Sequence, residues 1–167
     1  EFGKIIKPDI SVNGDASQVL SELIPLVKKL NTKDWLNKIS LWKKKHPLKY
    51  PKRGGLRAQH ILSELDRLTK SNAIISTDVG QHQMWAAQFC KSIRENQWLS
   101  SGGAGTMGYG FPAAIGAQLG KPKEVVVAVV GDGGFQMTMS ELATAAIHKL
   151  PIKILIINNR YLGMVRQ

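Results

Sequence analysis

The chain has 167 residues, 43% of them hydrophobic, which is enough to bury one good core in an ordinary globular protein. No apolar run approaches the roughly 18 residues of a membrane-spanning helix, which argues against a membrane partner. The single cysteine, Cys90, excludes an internal disulfide and suits a reducing, cytoplasmic setting.

The net charge of +11 is uneven: residues 1–60 hold 13 Lys and Arg against 5 Asp and Glu, and residues 61–167 hold 10 against 7. The chain opens on Glu1-Phe2-Gly3 without Met and stops at Gln167, directly after a candidate site segment, so a piece of a longer protein is expected. Asn13-Gly14-Asp15 reads as a turn before an apolar-periodic run from Val19 to Leu30 that carries Pro25. The basic excess concentrates from Lys28 to Arg57 and includes Lys43-Lys44-Lys45. A nucleic-acid surface is one reading of such a run. Trp35, Ile39 and Trp42 recur at helical spacing, however, which makes the lysines the wet face of an amphipathic helix and argues against a nucleic-acid partner. Residues 1–50 are expected to be the edge of a preceding domain plus a connecting arm, with a linker from His46-Pro47 to Gly54-Gly55.

A second unit, residues 51–167, begins with a helix in which Leu56, Ile61, Leu62, Leu65 and Leu68 share one face. A short buried strand, Ala73 to Ser76, follows. Asp78-Val79-Gly80-Gln81-His82-Gln83 leaves that strand and opens another helix containing Trp85. A glycine between strand and helix with polar neighbours is a candidate anion cradle. His82 is there either as a satisfied structural histidine or as a ligand contact; Cys90 is most simply a helix residue. Ser101 to Gly110 holds five glycines in ten residues. Gly103 to Gly108 formally matches the dinucleotide fingerprint, but only Trp98-Leu99 precedes it where a long buried strand is needed. A loop that approaches a ligand closely is expected instead, in which the polar surroundings leave Met107 exposed unless a flat apolar ligand covers it.

The remainder is arranged around Gly131 to Asn159. Val125 to Val130 is continuous and β-branched, as a strand buried on both faces should be. Gly131-Asp132-Gly133-Gly134 follows. Thr138 and Glu141 have the spacing of a capping box, predicting a helix that starts near Ser140 and runs past Ile147. Leu150-Pro151 closes it, and Ile152 to Ile157 forms the next strand. This strand–helix–strand unit predicts an α/β fold, a parallel sheet with helices on both faces. Asp132 follows the first strand and Asn159 the second, so both reach one crevice at the carboxyl edge of the sheet. A carboxylate and an amide give two hard oxygens of the kind that Mg²⁺ or Ca²⁺ prefers. Gly131, Gly133 and Gly134 let the backbone come close to a phosphate, and the helix dipole adds to the attraction. Singly, Gly-Asp-Gly can be only a turn and Asn-Asn only a loop. At this spacing they point to a metal-bridged diphosphate.

Gly131-Asp132-Gly133 followed some thirty residues later by Asn158-Asn159 resembles the signature of thiamine diphosphate-dependent enzymes. That resemblance implies Mg²⁺ held by Asp132, Asn159 and the backbone carbonyl of Tyr161. Three stretches narrow it: Gly80 to Gln88, Ser101 to Gly110, and Tyr161 to Gln167 closely resemble the large subunit of acetohydroxyacid synthase, also called acetolactate synthase. Ala104 stands where leucine is common and Arg160 where glutamine or glycine is common; neither is an implied ligand. The resemblance implies that 1–50 is the tail of a middle α/β domain and 51–167 the diphosphate-side cofactor domain, truncated at its C-terminal end. It implies diphosphate contacts from Val79, Gly80, Gln81, His82, Gly133 and Gly134. Met107 becomes an apolar prop under a bent cofactor, Gly105 meets the aminopyrimidine, and Leu162, Gly163 and Met164 lie in the same cofactor-binding stretch, with Met164 near the reacting centre. The implied activity condenses pyruvate with a second 2-oxo acid, pyruvate or 2-oxobutyrate, with loss of carbon dioxide, in branched-chain amino acid synthesis. No catalytic residue is then expected within these 167 residues. The activating glutamate comes from an N-terminal domain of a partner subunit, in a homodimer or tetramer whose site lies at the interface. A regulatory small subunit and FAD, bound mostly outside these residues, are also implied. A different thiamine-dependent enzyme, of the pyruvate oxidase or glyoxylate carboligase type, is the alternative, and a basic nucleic-acid or interaction module is a further one.

Overall fold

The computed structural model describes residues 2–51 and 53–166; Glu1, Lys52 and Gln167, the last of which ends the Tyr161–Gln167 stretch, lie outside the described residues. The chain divides into two compact units, 1–47 and 48–167.

The first unit holds α1 (Ala16–Leu23), a 3-10 turn (Ile24–Leu26) and α2 (Lys33–Lys45). Asp15 is the cap of α1, its carboxylate accepting the N–H groups of Ser17 and Gln18 at 3.0 and 3.1 Å. Pro25, which has no N–H to continue the helix, falls in the 3-10 turn where α1 gives out. On α2 the rings of Trp35 and Trp42 meet edge to face at 5.6 Å, and the Lys38 ammonium lies 5.2 Å from the Trp42 ring centre. Neither helix has a buried residue among those described, so both faces of α2 are exposed within this unit.

The second unit contains α3 (Ala58–Leu68), β1 (Ile74–Thr77), α4 (Gln81–Phe89), β2 (Trp98–Ser100), α5 (Gly110–Gly120), β3 (Val126–Gly131), α6 (Asp132–Thr138), a 3-10 turn (Met139–Glu141), α7 (Leu142–Ile147), β4 (Lys153–Ile157) and α8 (Gly163–Arg166). The four strands form one parallel sheet in the order β2-β1-β3-β4. Successive side chains of a strand point to opposite faces, and the two central strands use this to build two cores. Ile75, Val127 and Val129 pack with Leu62 of α3 and Ala86 of α4 on one face. Ile74, Val126, Ala128 and Val130 pack with Phe111, Ala114 and Ile115 of α5, and with Phe135 of α6, on the other. The result is a three-layer α/β unit with helices on both faces. All of β1 and β3 is buried, whereas β4, at the edge of the described sheet, is half-exposed.

Two expectations are corrected. On α3 only Leu62 is fully buried, while Leu56 and Leu68 are 81% and 70% exposed. Leu56 precedes the helix and Leu68 is its last residue, so neither shares the inward face. The capping box does not form: a 3-10 turn at Met139–Glu141 leads into α7 at Leu142, near the expected start at Ser140, but a separate helix, α6, already begins at Asp132 directly after β3. Thr138 instead donates its hydroxyl to the Gly108 carbonyl at 3.1 Å, and Glu141 accepts the Thr144 hydroxyl at 2.8 Å. Tertiary packing draws Gly133 and Gly134 into the helix against their weak intrinsic propensity. A side chain at 134 would run into the carboxylate of Asp78.

Candidate functional site

The order β2-β1-β3-β4 has a switch point: from β1 the chain moves outward to β2, and from β3 it moves the other way to β4. A crevice opens at the carboxyl ends of strands flanking such a point. A cavity of about 210 Å³ occupies it, walled by the segments that follow β1, β3 and β4 and by the loop before α5. From β1 come Val79, Gly80, Gln81 and His82; from β3, Gly131, Asp132, Gly133 and Gly134; from β4, Asn159, Tyr161, Leu162, Gly163 and Met164. The loop before α5 adds Gly105 and Met107. All fifteen positions singled out from the sequence therefore line one cavity. Trp85, Ile157 and Val165 line it too and carried no such signal, since each reads as an ordinary apolar residue of its element.

His82 is 6% exposed and lies under the floor of the cavity. A Cβ at Gly80 would come within 2.7 Å of its ring, and one at Gly131 within 2.8 Å, so the imidazole fills the space that two side chains would need. Burial pushes its pKa below the ordinary 6.5, against the pull of Asp78 and Asp132, and the ring is neutral near pH 7. Its Nε2 is buried without a partner. Asn159 is held on both sides of its amide, which accepts the Tyr161 N–H at 3.0 Å and donates to Gln81 Oε1 at 3.0 Å. The first bond is local to the segment after β4, and the second joins that segment to the start of α4. Met107 is half-buried, and its terminal methyl lies 3.6 Å from where a Gly133 Cβ would stand. Cys90 is buried beyond α4 and does not line the cavity; burial pushes its thiol up to about 12, so it is inert as a nucleophile.

A diphosphate with a hard cation fits these residues. The floor is kept open by glycines, a buried imidazole nitrogen lacks a partner, and Asp132, Asn159 and the Tyr161 carbonyl are an all-oxygen donor set of the kind Mg²⁺ prefers. Among the described residues no group of three or more His, Cys, Asp and Glu side chains could hold a metal, so a metal here depends on amide and carbonyl oxygens.

A family model described as the thiamine pyrophosphate enzyme C-terminal TPP-binding domain matches residues 78–167, more than half of the chain. The chain belongs to the thiamine pyrophosphate enzyme family. Relatives named acetolactate synthase are similar to it along its whole length. The acetolactate synthase large subunit of Pyropia yezoensis is 47% identical over 174 residues, covering 100% of this chain and 29% of the relative. The chloroplastic acetolactate synthase of Arabidopsis thaliana is 45% identical over 174 residues, covering 100% and 26%. The large subunit of Lactococcus lactis subsp. lactis (strain IL1403) is 46% identical over 169 residues, covering 100% and 29%. The chain thus spans less than a third of the length of these relatives.

Proposed function

We propose that this chain is the part of an acetolactate synthase large subunit that holds the diphosphate half of thiamine diphosphate and its Mg²⁺. The observation that carries the proposal is the meeting of Asp132, Asn159 and the glycine floor with Met107 in a single cavity. It is joined to 45–47% identity along the whole chain with proteins named acetolactate synthase. In this reading Asp132, the Asn159 amide oxygen and the Tyr161 carbonyl hold Mg²⁺. Val79 to His82, with Gly131, Gly133 and Gly134, hold the diphosphate. Met107 supports the apolar middle of the cofactor, Gly105 meets its aminopyrimidine, and Leu162, Gly163 and Met164 close over it.

When bound, thiamine diphosphate supplies the carbon that takes up a 2-oxo acid and lets carbon dioxide leave. The chain's own residues bind, orient and shield. The apolar lining from Met107, Leu162 and Met164 keeps water from the reacting end, and the glycine floor fixes the phosphate end. The activity we propose for the whole protein is condensation of pyruvate with a second 2-oxo acid, in branched-chain amino acid synthesis. The acid that activates the cofactor comes from a partner subunit, in a dimer or tetramer with the site at the interface. FAD and a regulatory subunit are bound outside these residues. Residues 1–50 serve as the tail of a middle domain and 51–167 as the cofactor domain. No described helix is long and apolar enough to cross a membrane. The lone cysteine suits a reducing compartment, and the cytoplasm is the location we propose.

The test is Asp132→Ala in the complete gene product. Removing the carboxylate takes away the only charged ligand of the proposed metal set. Thiamine diphosphate binding at ordinary Mg²⁺ concentrations is expected to vanish, with the thermal midpoint of the unliganded protein kept. Cofactor affinity that survives the substitution would sink the assignment.

A further inference from the structure

Asp78 is fully buried at the end of β1, yet it neither lines the cavity nor belongs to the metal set. Its two oxygens are used unequally. Oδ1 accepts the Val79 N–H at 3.0 Å and the Gly108 N–H at 2.7 Å, whereas Oδ2 is buried with no partner. Val79 begins the wall of the cavity that follows β1, and Gly108 is the residue directly after Met107. A single carboxylate oxygen therefore ties these two segments together across thirty residues of chain.

The same residue is held from its other side. The Thr138 hydroxyl of α6 donates to the Gly108 carbonyl at 3.1 Å, and two residues on, the Ser76 hydroxyl of β1 donates to the Gly110 carbonyl at 2.7 Å. Gly108 has φ +84°, a left-handed conformation that suits glycine and turns its N–H toward Asp78. Oδ2 faces Gly134, where a Cβ would collide with it, so the open side of the carboxylate is shut by α6.

We infer that Asp78 is the positioning residue that sets Met107 over the diphosphate cradle. The inference rests on the cofactor reading above and adds a residue with no contact of its own to the ligand. The device works through acceptor geometry and not through charge, because both bonds fall on one oxygen and no cation among the described residues partners the other. An asparagine can therefore replace it, with its amide oxygen in the Oδ1 place and its NH₂ in the place of Oδ2. An alanine cannot, since it leaves two N–H groups without an acceptor.

The two ends of the ligand separate this role from a general structural one. Inorganic pyrophosphate tests the cradle alone, whereas thiamine diphosphate also needs Met107. Both are titrated by calorimetry, with Mg²⁺, into the complete gene product. Asp78→Ala, which also frees the Val79 N–H at the edge of the cradle, is expected to weaken thiamine diphosphate about tenfold and pyrophosphate only about threefold; Asp78→Asn is expected to hold both within about twofold. Thr138→Val removes the second tie from a part-buried position and is expected to weaken thiamine diphosphate about threefold, with pyrophosphate unchanged. Should Asp78→Ala fail to fold, the Asn and Val proteins decide. Three results overturn the inference alone: an unchanged thiamine diphosphate affinity in Asp78→Ala or Thr138→Val, an equal loss of both probes, or an Asp78→Asn protein as impaired as the alanine one. Wild-type protein that binds neither probe overturns the cofactor reading and this inference together.

Discussion

His82 is held neutral by burial, which gives its protonation a measurable cost. Its pKa is lowered in the folded chain, so as pH falls through about 6.5 the unfolded chain takes up the proton first and the folded state loses ground. The loss ends only when the pH passes the lowered folded value. We expect the urea midpoint to be lower at about pH 5.5 than at about pH 7.5, and His82→Gln to narrow that gap. A gap of the same size in the variant would assign the effect to other groups. Met107 differs because it is only half-buried, on a loop rather than in either core. Met107→Ala is expected to leave the melting curve intact and to weaken cofactor binding by on the order of 1–3 kcal/mol, the worth of one apolar side chain taken out of water. A variant that unfolds, with binding that tracks only the folded fraction, would make Met107 a plain packing residue. At this scale Asp132, Asn159 and the glycines beside Asp132 were legible because they have few structural reasons to stand together, whereas Gly105 and Tyr161 to Met164 were singled out only through resemblance. Asp78 was not legible, because a carboxylate at a strand end looks the same in a sequence whether it faces water or two buried N–H groups.

Among the elements, β1 and β3 were legible because a short continuous run of β-branched residues has few other uses than a strand buried on both faces. The start of α6 was not. Thr138 and Glu141 match a capping pattern in spacing, and only the folded chain reveals that their side chains have other partners. α5 left no readable pattern either, because it carries Pro112 in its first turn and Gly116 inside, and the face it buries, Gly110, Phe111, Ala114, Ile115 and Gln118, includes a glutamine while Ala113, Ala117 and Leu119 off that face are apolar too. The packing of α3 and α4 on the sheet turns on Leu62, which has no exposed surface and also meets Cys90. Leu62→Ala is expected to cost about 2–5 kcal/mol, the usual range for a leucine cavity in a core. Urea denaturation measures it, and a cost under about 1 kcal/mol would mean that the core refills the space. The glycine floor is expected to persist in that variant, since Leu62 does not line the cavity.

For the whole molecule, the spread of the cavity over segments from Val79 to Val165 means that the diphosphate end of the site needs most of the second unit. In the proposed reading, the reacting end takes its activating acid from outside this chain. Among its acidic residues, Glu141 is engaged by Thr144, Glu124 pairs with Arg94 at 2.6 Å, and Glu95 is exposed. None of these lines the cavity, where Asp132 is the one carboxylate among the described residues. The purified chain is therefore expected to make no acetolactate from pyruvate with saturating thiamine diphosphate and Mg²⁺. Turnover in it, absent from the Asp132→Ala chain run beside it, would mean that an acid within these residues activates the cofactor. Addition of the remaining domains of the subunit is expected to restore activity if the interface re-forms. The parallel sheet and its two faces of helices were readable from one strand–helix–strand unit. The proposed place of the chain in a larger active site rests on resemblance alone, because periodicity carries no record of what a neighbouring subunit provides.

The ring of His82 beneath two glycines also governs the order in which this sequence can drift. Gly131 has φ −85°, which any residue can adopt, and only the ring excludes a side chain there. Gly80 has φ +153°, so a side chain there is strained whether the ring is present or not. Gly131→Ala should lower the thermal midpoint sharply in the parent chain and little in a His82→Ala background, a coupling of about 0.5–3 kcal/mol. Gly80→Ala should be costly in both. Position 131 is thus open to change only after position 82 has shrunk, whereas position 80 is closed along every mutational path.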